Sequence, residues 1–156
     1  MIKCIVTDCD GVITDGGFFY SEEGKVYKKF GPHDADGIKM LRAKGIEVFA
    51  ISGDKRGFPI TKKRCDDMGI DLKLVTEAER LEYIHNTHGF KGTAFVGDGF
   101  YDAPVLKEVE RGYAPADGTE QAKVAANVVT KASGGRGVLL EVALDILEYN
   151  NETNYK

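Results

Sequence analysis

Short apolar segments of strand length alternate along the chain with segments of helical pattern. The strand-like segments are IKCIVT, IEVFAIS, DLKLV, TAFVGD and NVVT, which begin at positions 2, 46, 71, 93 and 127. Strands that alternate with helices pair in parallel through right-handed crossovers, and ligands then bind at the carboxyl ends of the strands. The order therefore predicts an α/β fold with its functional residues at that edge of the sheet.

End signals bound the predicted helices. Asp34 is a candidate cap of a first helix, and Pro59 suits the first turn of a second helix that ends at Gly69. A capping-box pattern opens a third helix over 76–88, and a strongly apolar helix over 135–150 closes the domain. Together these elements predict a Rossmann-like parallel sheet sandwiched by helices.

One segment interrupts the alternation. Residues 17–30 have β-rich halves around a Glu-Gly turn signal, which predicts a projecting β-hairpin. We see no sign of an inserted cap domain, an internal repeat or a linker. The chain is therefore expected to form a single domain over 1–150, followed by a frayed tail over 151–156.

Composition and charge argue against several classes of protein. The formal net charge of -4 gives no basic footprint for nucleic acid, and no apolar run approaches the roughly 20 residues that span a bilayer. The amino terminus is unlike a secretory signal, so a cytoplasmic location is expected. Three cysteines without C-x-x-C spacing favour neither a disulfide framework nor a zinc site.

Aspartates follow two of the predicted strands. Asp8 and Asp10 end the first strand two residues apart, so both project to the same face, while Asp98 follows a later strand and Asp102 starts the next helix. Like charges repel unless a cation lies among them, and hard oxygen ligands suit Mg²⁺. The pattern predicts a magnesium site with phosphate as co-ligand.

The segment that begins at Asp8 also loosely resembles the opening of an EF-hand calcium loop. Val12 and Phe19 stand, however, at the fifth and twelfth positions, where that loop requires ligands. We therefore reject a calcium loop.

These segments resemble motifs of the haloacid dehalogenase superfamily of phosphohydrolases. DCDGV is similar to the first motif, ISGD to the second and GDGFYD to the acidic fourth. The likeness is closer to the capless branch of 3-deoxy-D-manno-octulosonate 8-phosphate phosphatases, which includes relatives acting on nine-carbon keto-sugar phosphates. DGVITDG, DADGIKML, KKRCDDMGI and GGRGVLLEV carry it, over about residues 3–147.

The resemblance implies a magnesium-dependent phosphomonoester hydrolase. Asp8 would be the nucleophile that forms an aspartyl-phosphate, and Asp10 the general acid and base. Asp8, the backbone carbonyl of Asp10 and Asp98 would hold Mg²⁺, with Asp102 in its outer shell. Ser52 would donate a hydrogen bond to a phosphoryl oxygen.

The third motif of the family is a cation that contacts the nucleophile and the phosphate. This branch usually has a lysine there, and here Arg80 fills the place, with Lys55 and Lys73 as alternative sources of the charge. Arg136, in a glycine-rich turn, is available for a sugar carboxylate. The substrate contacts expected from the resemblance are Ser52, Gly53, Lys55, Arg80 and Arg136.

Two departures from the family pattern leave their effect on specificity open. Gly99 stands where a second aspartate is common, and the stretch over 53–64 is about two residues longer than usual, with Asp54 in place of a common arginine. Because that stretch is expected to face the substrate, the identity of the phosphorylated sugar stays open.

Assembly is a further expectation. The resembling phosphatases close their sites as tetramers, with the hairpin packed centrally and a neighbour's GGRG region near the substrate. The apolar and aromatic side chains over 17–30 exceed what an isolated ribbon can bury, which favours a homotetramer here.

Two alternative functions are retained. One is a non-catalytic regulatory or oligomerisation module of sugar-nucleotide biosynthesis, since similar domains occur fused to synthetases. The other is a phosphatase of another small metabolite. Intact Asp8 and Asp10 favour catalysis over the first alternative.

Overall fold

The computed structural model describes residues 1–154, which form eight strands and six helices. The strands are β1 (Cys4–Asp8), β2 (Thr14–Ser21), β3 (Gly24–Phe30), β4 (Glu47–Ser52), β5 (Asp71–Leu74), β6 (Thr93–Val96), β7 (Arg111–Ala114) and β8 (Val128–Val129). The helices are α1 (Asp34–Ala43), α2 (Phe58–Met68), α3 (Arg80–Thr87), α4 (Ala103–Glu108), α5 (Glu120–Ala125) and α6 (Val138–Asn154).

Six strands form a parallel sheet in the order β5-β4-β1-β6-β7-β8. Successive side chains of a strand point to opposite faces, so Ile5 packs into the core under α1 and α6, whereas Val6 packs into the core under α3 and α4. Burial on both faces explains why β1 is a continuous apolar run. The predicted α/β fold with two helical layers is confirmed.

The hairpin consists of β2 and β3, which pair with each other in a separate antiparallel sheet. It begins at Thr14, three residues earlier than predicted, and Phe19 lies opposite Tyr27. Phe30 packs against the core, whereas five other apolar side chains of the hairpin are exposed in the single chain: Phe18, Phe19, Tyr20, Val26 and Tyr27. The predicted projecting hairpin is confirmed.

Several helix ends differ from the prediction: α3 begins at Arg80, after a 3-10 turn over Glu77–Glu79, and α6 begins at Val138. Asp34 does not cap α1, because its buried carboxylate accepts the backbone N–H of Leu139 at 3.0 Å, in the first turn of α6. Helix α2 does begin with Pro59 in its first turn and ends at Gly69. Residues 151–154 of the predicted frayed tail are the last helical residues of α6, and residues 155 and 156 lie outside the described part of the chain.

Strand β7 was not expected from its sequence, RGYA, because it carries no apolar run. Tyr113 is nevertheless fully buried, since its hydroxyl donates to Asp145 at 2.6 Å and Arg111 pairs with the same carboxylate at 2.7 Å.

Within residues 1–154, no helix combines the length and the apolar character needed to cross a membrane.

Candidate active site

Three neighbouring parallel strands deliver the predicted residues to one edge of the sheet. Asp8 ends β1, Ser52 ends β4 beside it, and Asp98 follows the end of β6 by two residues. Arg80 begins α3, and Asp102 ends a short 3-10 turn ahead of α4. Parallel strands end on the same side, so these side chains converge although they are far apart in sequence.

The carboxylates of Asp8, Asp98 and Asp102 form the centre of the site. One oxygen from each lies within 4.8 Å of the other two. Gly11 permits this approach, because it has a φ of +82° and a Cβ at its position would lie 1.9 Å from Asp98 Oδ2. A glycine of the first motif therefore leaves room for the acid of the fourth motif.

A buried arginine bridges two of these acids. Arg80 Nη1 donates to Asp102 Oδ1 at 2.6 Å, and Nη2 donates to Asp8 Oδ1 at 3.2 Å. Although burial would lower the pKa of Arg80, the charges of Asp8 and Asp102 hold it above its usual range. Lys73, in contrast, is exposed on β5 and lines a different surface pocket. Of the candidate third-motif cations, Arg80 is the one at the acids.

Burial dominates the electrostatics of the acids. It raises the pKa of Asp8 well above its usual range, against the lowering effect of Arg80. Burial, with the charge of Asp102, raises the pKa of Asp98 to about 6. One guanidinium thus leaves the three carboxylates short of positive charge. Mg²⁺ is a hard cation that takes such oxygen ligands, so the donor set fits the predicted magnesium site.

Asp10 lines the same cavity as Asp8 and Asp98, and its carboxylate contacts the hairpin. Lys28, on β3, places its buried ammonium 2.8 Å from Asp10 Oδ1 and 2.8 Å from Asp54 Oδ2. Lys25 pairs with Asp54 at 2.6 Å. Burial would raise the pKa of Asp54, but its hydrogen bonds from Lys25 and Lys28 hold it well below the usual range.

Sequence reasoning missed both lysines. The sequence predicted only that Lys25 and Lys28 lie in the hairpin. The function predicted for the hairpin was an interface formed by its apolar residues. The available signal was charge complementarity between a lysine-rich strand and Asp54, which departs from the family pattern. No sequence pattern showed that the lysines of β3 contact the loop after β4.

A cavity of about 280 Å³ opens above the acids. Asp8, Asp98 and Arg80 line its polar part, and Phe100 and Tyr101, both more than half exposed, line another part. The volume suits a phosphoryl group with part of a small organic moiety. The site is thus a polar cavity with carboxylates and a guanidinium among its lining groups.

The other predicted substrate contacts lie at different distances from the cavity. Gly53 lines it, and Ser52, directly before it, is buried with its Oγ accepting the Asp54 N–H at 3.1 Å. Lys55 is exposed and is not among the lining residues. Arg136 lines a separate surface pocket, together with Asp15 and His33. Arg136 is not among the residues that line the cavity at the acids.

Comparisons with known proteins agree with this architecture. The chain is 33% identical over 158 residues to the 3-deoxy-D-manno-octulosonate 8-phosphate phosphatase of Haemophilus influenzae, a match that covers 98% of the chain and 87% of the relative. A cobalt-bound structure of the deoxy-D-mannose-octulosonate 8-phosphate phosphatase from Haemophilus influenzae superposes with a TM-score of 0.83 at 34% identity, covering 94% of this chain and 88% of that one.

A second solved structure is the 3-deoxy-D-manno-octulosonate 8-phosphate phosphatase of Moraxella catarrhalis in complex with magnesium ion, phosphate ion and KDO. It superposes with a TM-score of 0.84 at 27% identity, covering 99% of this chain and 91% of that one. No family model matches the chain.

The fold and the acids at its strand ends define a phosphatase of the haloacid dehalogenase type. Within that class, the chain belongs to the 3-deoxy-D-manno-octulosonate 8-phosphate phosphatase family. The predicted resemblance and the predicted enzyme class are confirmed.

Proposed function

We propose that this phosphatase hydrolyses the phosphate monoester of a keto-sugar acid, such as 3-deoxy-D-manno-octulosonate 8-phosphate or a nine-carbon relative, through an aspartyl-phosphate. One observation carries the proposal: the Asp8 carboxylate lies at the cavity, fixed by Arg80 and beside Asp98. The relative from Moraxella catarrhalis, solved with magnesium, phosphate and KDO, supports the substrate class.

We infer from the contacts of Asp8 which of its oxygens would attack phosphorus. Asp8 Oδ1 accepts hydrogen bonds from the Cys9 N–H at 2.8 Å and from Arg80 at 3.2 Å. Oδ2 is then the oxygen that forms a bond to phosphorus as the ester P–O bond breaks. A carboxylate nucleophile divides one difficult displacement into two easier ones, and Arg80 stabilises charge on the phosphoryl group.

Asp10 supplies the proton transfers. It would donate a proton to the departing sugar alkoxide, and then accept one from the water that attacks the phosphorus of the aspartyl-phosphate. That second step releases inorganic phosphate and restores the Asp8 carboxylate. The Ser52 hydroxyl, whose oxygen already accepts the Asp54 N–H, has its proton available for a phosphoryl oxygen.

The metal completes the charge balance of the site. Asp8, the backbone carbonyl of Asp10 and Asp98 would hold Mg²⁺, with Asp102 orienting its outer shell. When bound, Mg²⁺ supplies positive charge that lets a carboxylate approach a phosphate dianion.

We further propose that the chain works as a homotetramer. The exposed aromatic face of the hairpin, with Phe19 opposite Tyr27, supports this, because such patches usually mark interfaces. Because Arg136 lines a pocket separate from the cavity of its own chain, it would be available to contact substrate in a neighbour's site.

The test of the mechanism is to trap the phosphorylated enzyme. Acid quenching during turnover, followed by peptide mass spectrometry, should find one phosphoryl group on the peptide that contains Asp8. Asp8→Asn should show neither the modification nor phosphate release, because an amide of nearly the same shape is not a nucleophile. Asp67→Asn, at an exposed position on α2, serves as the matched control. Turnover that persists in Asp8→Asn would contradict the mechanism.

A further inference from the structure

A lysine of the hairpin is fully engaged at the site. The Lys28 side chain has no solvent exposure, and its ammonium lies 2.8 Å from Asp10 Oδ1 and 3.1 Å from Oδ2. The same ammonium lies 2.8 Å from Asp54 Oδ2 and 2.8 Å from Thr61 Oγ1. An ammonium has three donors, and here three different side chains accept from it. Its position is therefore fixed by β3, by the loop after β4 and by α2.

The orientation of Asp10 depends on Lys28, whereas the orientation of Asp8 is fixed by other groups. Asp8 is held by a backbone N–H and by Arg80, whereas the Asp10 carboxylate is 29% exposed. In the described part of the chain, Lys28 is the side chain that bonds it. A group that first gives and then accepts a proton must stay aligned with the reacting oxygen, since a displacement of about 1 Å can cost on the order of 10²-fold in rate.

We propose that Lys28 is a positioning residue that holds the Asp10 carboxylate towards the leaving group, so that the hairpin forms part of the acid–base apparatus. The proposal rests on the proposed role of Asp10. It assigns the hairpin a task in the chemistry of its own chain, in addition to any interface that its aromatic face forms.

The charges around Lys28 are balanced, so the experiment needs a variant that lacks Lys28 but keeps the net charge. When Asp10 is deprotonated, it and Asp54 carry two negative charges, which balance the two positive charges of Lys25 and Lys28. Lys28→Met keeps the length of the side chain but leaves one excess negative charge. The double variant Lys28→Met/Asp54→Asn removes one charge of each sign and still lacks the anchor of Asp10.

Substrates with different leaving groups distinguish a loss of acid positioning from a general loss of activity. p-Nitrophenolate departs without a proton, whereas a sugar alkoxide needs one. In Lys28→Met and in the double variant, we expect kcat/KM to fall about 10-fold or more for an alkyl phosphate such as a sugar phosphate, and less than about threefold for p-nitrophenyl phosphate. Equal losses for both substrates would overturn the proposal, as would full alkyl phosphatase activity in the double variant.

Coupling to Asp10 is the second readout. If Lys28 acts through Asp10, then Lys28→Met should cause little further loss in an Asp10→Asn background. Losses that multiply would overturn the positioning role while leaving the proposed function intact. An Asp10→Asn variant with undiminished alkyl phosphatase activity would instead refute the acid role of Asp10, and this proposal with it.

The matched control is Lys29→Met. Lys29 is the next residue of the same strand and is exposed, so the substitution removes the same charge without touching Asp10. It should leave both substrates unaffected, and thermal unfolding should confirm that the variants fold. A selective loss of alkyl phosphatase activity in Lys29→Met, as large as that in Lys28→Met, would overturn the assignment.

Discussion

Replacing Asp98 by asparagine should stabilise the metal-free protein while abolishing its response to magnesium. The pKa of Asp98 is raised from 3.8 to about 6 by burial and by the charge of Asp102. The folded chain therefore binds a proton more tightly than the unfolded chain. The stability associated with this group is present below about pH 4 and is lost as the pH rises through about 6.

The size of the effect follows from the two pKa values. Their difference corresponds to about 3 kcal/mol in the free energy of unfolding, which the metal-free protein has lost by pH 7.5. The asparagine amide stays neutral at every pH, so the Asp98→Asn variant should be more stable than the parent chain by up to about 3 kcal/mol at pH 7.5. At pH 4 the two proteins should be nearly equal.

Urea unfolding followed by circular dichroism, with a chelator present, measures this difference directly. Adding Mg²⁺ should then raise the stability of the parent chain and not that of Asp98→Asn, because a ligand stabilises only the folded state that binds it. Asp67→Asn, on the exposed face of α2, should stay within about 0.5 kcal/mol of the parent. An Asp98→Asn variant that is no more stable than the parent at pH 7.5 would refute the electrostatic argument.

Three further predictions concern the metal, a glycine and the hairpin. Chelation should stop phosphate release and Mg²⁺ restore it, whereas Ca²⁺ should inhibit because its coordination is looser; activity after exhaustive chelation would exclude the metal site. Gly11→Ala should weaken Mg²⁺ binding by displacing Asp98. Gly45 has a similar φ of +73° and open space around it, so Gly45→Ala should only lower the stability of the fold, by about 1–2 kcal/mol. Equal metal affinity in both variants would contradict this prediction. Light scattering should report four chains per particle, and charged substitutions at Phe19 and Tyr27 should dissociate them; a fully active monomeric parent would refute the tetramer.

The sequence predicts those elements whose burial produces a pattern of neighbouring apolar residues. Strand β1 is buried on both faces by Ile5 and Val6 and its neighbours, and it appears in the sequence as an unbroken apolar run. Strand β7 is held by the hydrogen bond of Tyr113 to Asp145, 32 residues away, and a contact of that range leaves no local pattern. Asp34 likewise caps a helix far from it in sequence.

The candidate site divides in the same way. Asp8 and Asp98 follow apolar strands, so topology alone places them at one edge, and their proximity could be predicted. The contact of Lys28 with Asp10 depends on how the hairpin folds over the loop after β4, and alternation along β3 does not determine that direction. Arg136 was an expectation from resemblance, and it lines a pocket separate from the cavity of its own chain.

The most direct test of the account is a comparison of kcat/KM over a panel of phosphate monoesters in Mg²⁺. The panel contains 3-deoxy-D-manno-octulosonate 8-phosphate, a nine-carbon keto-sugar acid phosphate, hexose phosphates and a nucleoside monophosphate. The account predicts that a keto-sugar acid phosphate has the highest kcat/KM by at least about 10-fold, and that Asp8→Asn releases no phosphate from it. A hexose phosphate or nucleotide with the highest value would contradict the proposed substrate class, and turnover in Asp8→Asn would contradict the chemistry.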